Sequence, residues 1–363
     1  MKNQIFELFG FKVEDKSVVA EYHRKNCICP FYNRVCDGGG NRYQSFISKS
    51  KAKSEGLDKY FDIDLKEYPP GVCSLRIKNK DWIVCPRRLF SFDSQNSSGE
   101  HFEFINKVIY DYCAINQGER FSVWAEVKIK YSERSKGFDK SFDYTFDYIV
   151  AKVSPRLVND VAQELGISEK SLLGKCSRDG ITLSNRNGEN YIEYYPTGHL
   201  HIIEVMTSST SGGNKRKGNT VQQSFIDAIK GENHESPGIN YRQIWARMVS
   251  QLIVKSQIGR EWGSNTLWIL QDLLTEYISV STDLNLQKLI SDVPKGVNMV
   301  SVKYSNQTDK NGCLKLEENY LYSGEVPRAA SDTDFNKLLQ ASIIPKENFV
   351  KNKIVLKKPI VTI

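Results

Sequence analysis

The segment His199-Leu200-His201-Ile202-Ile203-Glu204-Val205-Met206-Thr207 constrains this chain more than any other stretch. Side chains alternate across a strand, so Leu200, Ile202, Glu204 and Met206 share one face while His201, Ile203 and Val205 share the other. Glu204 therefore sits among apolar neighbours. A carboxylate there is costly unless a cation or hydrogen-bond donors meet it, which makes Glu204 either a functional group or one half of a structural ion pair. The chain continues into Ser208, Ser209, Thr210, Ser211, Gly212, Gly213, Asn214, Lys215, Arg216 and Lys217, a basic loop with donors suited to phosphate oxygens and base edges. A solvated loop has the same composition.

Two more stretches alternate. Phe121–Tyr131 sets Phe121, Val123, Val127, Ile129 and Tyr131 against Trp124, Glu126, Lys128 and Lys130. Phe142–Val153 places Asp143, Thr145, Asp147, Ile149 and Ala151 on one face. Asp147 and Glu204 on strands, with Glu126 on a third, form a set that can hold Mg²⁺ against a phosphodiester. Such an ion polarises the phosphoryl group and lowers the pKa of an attacking water. Helical spacing recurs over Glu100–Asn116, over Tyr241–Gln257 through Ile244, Trp245, Met248, Val249, Leu252 and Ile253, and over Asn265–Ile278. The result expected is an α/β fold. Asn352–Pro359 reads as a basic strand.

Eight cysteines are few for a disulfide scaffold in 363 residues, yet Cys27, Cys29, Cys36, Cys73 and Cys85 all fall in the first quarter. Tetrahedral thiolate sites need four ligands, usually two from each of two turns, and Pro or Gly beside a cysteine, as in Cys29-Pro30 and Cys85-Pro86, bends the backbone so that sulfurs converge. Cys29, Cys36, Cys73 and Cys85 are the expected set, with Cys27 able to replace Cys29; buried apolar cysteines are the other possibility. Ser91–Gly99 marks the expected boundary between a metal-binding domain over 1–95 and a second domain over 96–363. Within the latter, 154–198 reads as an insertion. Leu157–Leu172 there has the pattern of two helices joined at Gly166, either a helix-turn-helix or an ordinary hairpin, followed by a β-hairpin over Ile181–Tyr195.

Lysine and arginine exceed aspartate and glutamate by 50 − 43 = 7, which favours a polyanionic partner without requiring one. The first ten residues are too short and interrupted for a signal peptide, and no run is long enough to span a bilayer, so a cytoplasmic location is expected.

Taken in order, Phe9-Gly10, Cys29-Pro30-Phe31, Gly71-Val72-Cys73, Asp81-Trp82-Ile83-Val84-Cys85-Pro86, Phe146-Asp147-Tyr148, Ile203-Glu204-Val205-Met206-Thr207 and the 241–257 helix resemble the NotI-type restriction endonucleases. The resemblance covers most of the first 260 residues. It implies a small domain with four cysteines around one ion, iron in that family where zinc is the chemical default. It implies a PD-(D/E)xK nuclease core, a mixed central sheet flanked by helices. It also implies a homodimer and Mg²⁺-dependent cleavage of double-stranded DNA at a GC-rich palindrome. Asp147 and Glu204 match the metal-binding acids, and Glu126 a third acidic position. The chain departs where the superfamily usually has lysine: two residues after Glu204 stands Met206, whose thioether cannot donate a proton. Lys128 or Lys130, on the face of Glu126, are the first candidates to supply the missing charge.

The expected activity is thus that of a type II restriction endonuclease, a dimer whose symmetry matches a palindrome, with a cognate DNA methyltransferase as a genetic partner. A non-catalytic DNA-binding regulator and a structure-specific repair nuclease are the alternatives.

Overall fold

The computed structural model describes residues 2–39, 45–92, 101–135, 138–211, 213–282, 284–325 and 344–362. Most of the expected boundary segment, from residue 93 through Gly99, lies outside them, as does Gly212 of the basic loop.

The N-terminal part is built on a four-stranded antiparallel sheet in the order β2-β1-β3-β4, with β1 Gln4–Leu8, β2 Phe11–Lys12, β3 Val72–Ile77 and β4 Lys80–Ile83. Helix α1, Val18–Lys25, begins where the Ser17 hydroxyl accepts the Ala20 N–H, a satisfied N-cap. Buried residues of this part pack in one apolar cluster with Phe225, Ile244, Met248, Trp268 and Met299 from much later in the chain. A buried ion pair reinforces that contact. Arg88 Nε lies 3.0 Å from Glu7 Oε2, both side chains fully buried, and Glu7 also accepts from Ser74 Oγ at 2.8 Å and Tyr304 OH at 2.7 Å.

A mixed nine-stranded sheet forms the centre of the chain. Its strands are β5 Phe121–Ser135, β6 Phe138–Leu157, β7 Leu183–Arg186, β8 Glu189–Pro196, β9 His201–Met206, β10 Thr266–Gln271, β11 Val297–Thr308, β12 Leu314–Gly324 and β13 Val361–Thr362. The order β7-β8-β6-β9-β10-β11-β12 has β5 paired to β6 and β13 paired to β5. Pairs β5–β6 and β6–β9 are antiparallel, whereas β9–β10 and β10–β11 are parallel. A parallel neighbour needs a crossover, and a long helix supplies it between β9 and β10.

Two helices, α2 Val158–Leu165 and α3 Glu169–Arg178, form the expected pair, with Gly166 in the left-handed conformation (φ 64°) that ends α2. The β7–β8 hairpin follows, turning through Asn187 and Gly188, both at positive φ, as a two-residue hairpin requires. The crossover helix is α4, Tyr241–Glu261; α5, Asp272–Ser281, and α6, Glu347–Ile354, complete the helices used below. Helix α4 lies close against β10 at Gly259, where a β-carbon would come within 2.3 Å of Thr266 Oγ1.

Two expectations fail. The helix expected over Asn265–Ile278 is instead strand β10 followed by α5. All six residues of β10 are buried, and a short continuous apolar run such as Leu267-Trp268-Ile269-Leu270 carries no period to separate a central parallel strand from a buried helix. The basic strand expected over Asn352–Pro359 is the end of α6 and an irregular segment. Val350 and Ile354, four residues apart, are both buried, a helical stripe.

Candidate functional site

The pleat of two strands breaks where the acids stand. In β5, Phe121 and Val123 pack into one apolar layer, but Val127 and Ile129, of the same parity, pack into the other. In β6, Phe142 and Phe146 lie in the second layer, and Tyr148 and Val150 in the first. The change of face falls at Glu126 and Asp147: Phe146 pairs with Val127 and Tyr148 with Ala125. Glu126 has φ 47°, a left-handed conformation that costs a non-glycine residue about 1–3 kcal/mol. The kink is held from outside by Lys357, whose Nζ donates to the carbonyl oxygens of Ala125 and Glu126, the latter at 2.8 Å. Uniform alternation, the basis for placing Asp143, Asp147 and Ile149 on one face, therefore does not extend through position 147.

Strand β9 lies beside β6 with Tyr148 opposite Ile203, so Asp147 and Glu204 come level. Their carboxylates cross. Val205 N–H donates to Asp147 Oδ2 at 2.9 Å, and Asp147 N–H to Glu204 Oε1 at 3.4 Å. On the other side Lys255 of α4 places Nζ 2.5 Å from Glu204 Oε2 and donates to the Thr145 carbonyl at 2.8 Å. Lys255 and Glu204 side chains are each 3% exposed.

Burial, reinforced by neighbouring Asp147, pushes the Glu204 carboxyl up to about 8 against the pull of Lys255. Burial also raises Asp147, opposed by the Val205 N–H and Lys255. Two carboxyls share one buried lysine and remain short of positive charge. That imbalance, with an all-oxygen donor set, fits a hard divalent cation. Asp147 and Glu204 are the residues that would hold it.

These groups open into a cleft of about 640 Å³, also lined by Arg87, Glu126, Ser208, Arg247 and Gln251. The Ser208 hydroxyl is buried without a hydrogen-bond partner among the described residues. An oxygen-rich ligand entering the cleft can satisfy it. Glu126 is half exposed and pairs with Arg87 at 3.5 Å.

Met206, two residues past Glu204, is buried in the apolar cluster shared with the N-terminal part and is not placed as a proton donor. Neither Lys128 nor Lys130 stands in for the missing lysine. Both are exposed and pair with Asp143, at 3.8 and 3.3 Å. Lys255 is the lysine at Glu204, and sequence reading overlooked it. The signal was a lysine on the buried stripe of α4, between Met248 and Ile258, where an unpaired charge has no reason to be.

In the basic loop, Ser208 N–H donates to Ile83 O at 3.2 Å, Thr210 bridges to Ile239, and Ser211 N–H donates to Gly238 O at 2.8 Å. Ser209 lines the cleft. Lys215, Arg216 and Lys217 form a single helical turn, with Asn214 Oδ1 accepting the Arg216 N–H at 2.9 Å and Asn219 accepting from Asn214. Arg216 and Lys217 are exposed.

The four expected cysteine ligands, Cys29, Cys36, Cys73 and Cys85, are buried free thiols. Each sulfur accepts backbone N–H groups: Cys73 from Gly10 at 3.3 Å, Cys36 from Gly38 at 3.4 Å, Cys29 from Phe31 and Tyr32, and Cys85 from Arg87 and Arg88. Cys73 Sγ donates to the Gly71 carbonyl at 3.6 Å, and the Cys73 and Cys85 thiols lie close enough to shift one another. Burial raises the thiols of Cys29 and Cys36, and the Cys85 contact, then burial, raises that of Cys73. The same contact lowers Cys85. Amide donors converging on sulfur favour thiolates, and thiolates suit zinc or iron. Cys27, buried nearby, is pushed up to about 12 by burial alone. As the side chains stand, no three His, Cys, Asp or Glu among the described residues are gathered closely enough to grip an ion.

No family model matches this chain, and neither a curated protein nor a solved structure matches it. No described helix is long and apolar enough to cross a membrane.

Proposed function

We propose that this chain is a Mg²⁺-dependent endonuclease of the PD-(D/E)xK kind that cleaves double-stranded DNA, and that it acts as a homodimer at a specific site in the manner of type II restriction enzymes. The observation that carries this reading is the meeting of Asp147, Glu204 and Lys255 at the floor of an open cleft. The order β5, β6, β9, crossover helix, β10, with the acids on adjacent strands, supports a nuclease core.

The chemistry follows from the parts. A bound Mg²⁺ supplies Lewis acidity toward a phosphoryl oxygen and lowers the pKa of a bound water. Asp147 and Glu204 would hold it through carboxylate oxygens, and the N–H donors of Val205 and Asp147 orient those carboxylates. Lys255 neutralises part of their charge and presents an ammonium proton donor where Met206 has none. Arg247, exposed at the rim, and the loop residues Ser209, Asn214, Arg216 and Lys217 are suited to backbone phosphates. Zinc or iron at the cysteines would brace the turns that carry Asp37 and Arg87 to the cleft wall.

A second reading has one specific support. Lys255 closes an ion pair with Glu204 without any metal, as a structural pair in a non-catalytic DNA-binding regulator does. Plasmid digestion with Mg²⁺ or Mn²⁺ separates the readings. Discrete fragments, lost in D147A and E204A while DNA binding in Ca²⁺ persists, are expected of the nuclease; no cleavage with either ion leaves the regulator.

A further inference from the structure

Arg87 has no part in the chemistry above, yet its guanidinium ties together three elements. Nη1 donates to the Tyr148 hydroxyl at 3.1 Å, Nη2 lies 3.5 Å from Glu126 Oε1, and Nε donates to Asp37 Oδ2 at 3.3 Å. The ring of Tyr32 lies beneath it, 5.4 Å from its centroid. Burial works against the charge, but Tyr148 and Asp37 outweigh it and Arg87 stays a cation. Asp37 directly follows Cys36, and Arg87 stands two residues after Cys85. Both ends of the Asp37–Arg87 pair thus grow out of the cysteine-bearing turns, and the free face of the guanidinium reaches into the cleft.

The partner it takes there is the third acid. Glu126 sits at the kinked position of β5, its side chain half exposed in the cleft that holds Asp147 and Glu204. Its charge is close enough to Asp147 to raise that carboxyl, and Arg87 acts on Asp147 in the opposite sense. A carboxylate so placed has two options: to turn inward as a further ligand to a cation, or to stay paired at the wall.

We propose that Arg87 is a positioning residue that keeps Glu126 at the wall, so that the cleft offers a cation two carboxylates instead of three, and that Asp37 ties this restraint to the cysteine-bearing turns. The inference rests on reading Asp147 and Glu204 as a divalent-cation site. Mg²⁺ works with one or two carboxylates because water and substrate phosphate need its remaining positions. A third carboxylate tightens the ion and blocks those positions. Arg87 therefore trades affinity for an open coordination sphere, and disturbing the cysteine-bearing turns shifts that balance through Asp37.

The test measures Mn²⁺ binding to the full-length protein by electron paramagnetic resonance, with D147N/E204Q as the blank, alongside the turnover of plasmid cleavage. R87M removes a cation and releases a carboxylate, so the Mn²⁺ dissociation constant should fall about tenfold, the lower end of what one charge change at 4–6 Å produces, while kcat falls. A merely structural role for Arg87 would weaken Mn²⁺ binding instead. In R87M/E126Q the wild-type dissociation constant should return, and D37N should move it in the direction of R87M by a smaller factor. R87K, which keeps the charge and the fold but loses the forked geometry, should lie between. Mn²⁺ binding unchanged or weaker in both R87M and R87K overturns the inference and leaves the cation site standing. Wild-type protein that binds Mn²⁺ no better than the blank overturns both.

Discussion

Replacing Lys255 with methionine removes the only positive charge that touches Glu204 in the buried floor of the cleft, among the described residues. Leaving one member of a buried pair ionised and alone costs about 3–5 kcal/mol. Glu204 has an escape, however: its carboxyl, already pushed up to about 8 beside the lysine, rises further once the lysine is gone and keeps its proton to higher pH. The folding penalty in K255M is therefore capped near pH 7 and grows above pH 8, as the charge becomes harder to suppress. Urea unfolding of wild type and K255M at pH 6 and pH 9 reads this directly, and the gap between the two proteins should widen at the higher pH. K255M also loses the ammonium donor at the cation site, so Mg²⁺-dependent cleavage at pH 7 should drop by about 10²–10⁴, the range of a lost general acid or base. DNA binding in Ca²⁺-free buffer should be kept. Cleavage by K255M within threefold of wild type, or a penalty that shrinks with rising pH, refutes the assigned role of Lys255.

Three further outcomes are expected. Burial, with His199 and Lys152 nearby, lowers His201 to about 4, and its Nδ1 accepts the Asn265 N–H at 3.4 Å. Between pH 6.5 and 4 the unfolded chain binds a proton that the folded chain refuses, so stability falls as pH falls, by up to about 3 kcal/mol; H201N should flatten that slope in thermal melts. R88M strands Glu7 in the core and should cost about 3–5 kcal/mol in urea unfolding, with less loss in E7Q/R88M. K357M removes the donor to the carbonyls of Ala125 and Glu126, and faster amide exchange over residues 124–128 than in wild type checks it.

Much of this arrangement is legible before the fold is known, because three acids in otherwise apolar or alternating strands leave a visible mark. Asp147 and Glu204 stand level on adjacent strands, and the helix over Tyr241–Gln257 is present and runs on to Glu261. What escapes is long-range or local in a way pattern cannot carry. The kink at Glu126 reverses the parity of β5 and β6 halfway along, and nothing in the alternation of Phe121–Tyr131 announces it. Lys255 is 51 residues from Glu204, and only tertiary packing of the crossover helix brings them together. Strand β10 is apolar throughout its centre, which hides its period.

Because the ammonium arrives from a helix, its registration depends on the azimuth of that helix and not on strand spacing. A turn of roughly 100° per residue means that a one-residue slip in α4 would swing Lys255 out of the cleft altogether. Thr266 and Gly259 clamp the helix against slippage. In return, position 206 is relieved of ionic duty, and the chain uses it for a flexible thioether that fills the seam between the sheet and the cysteine-bearing half.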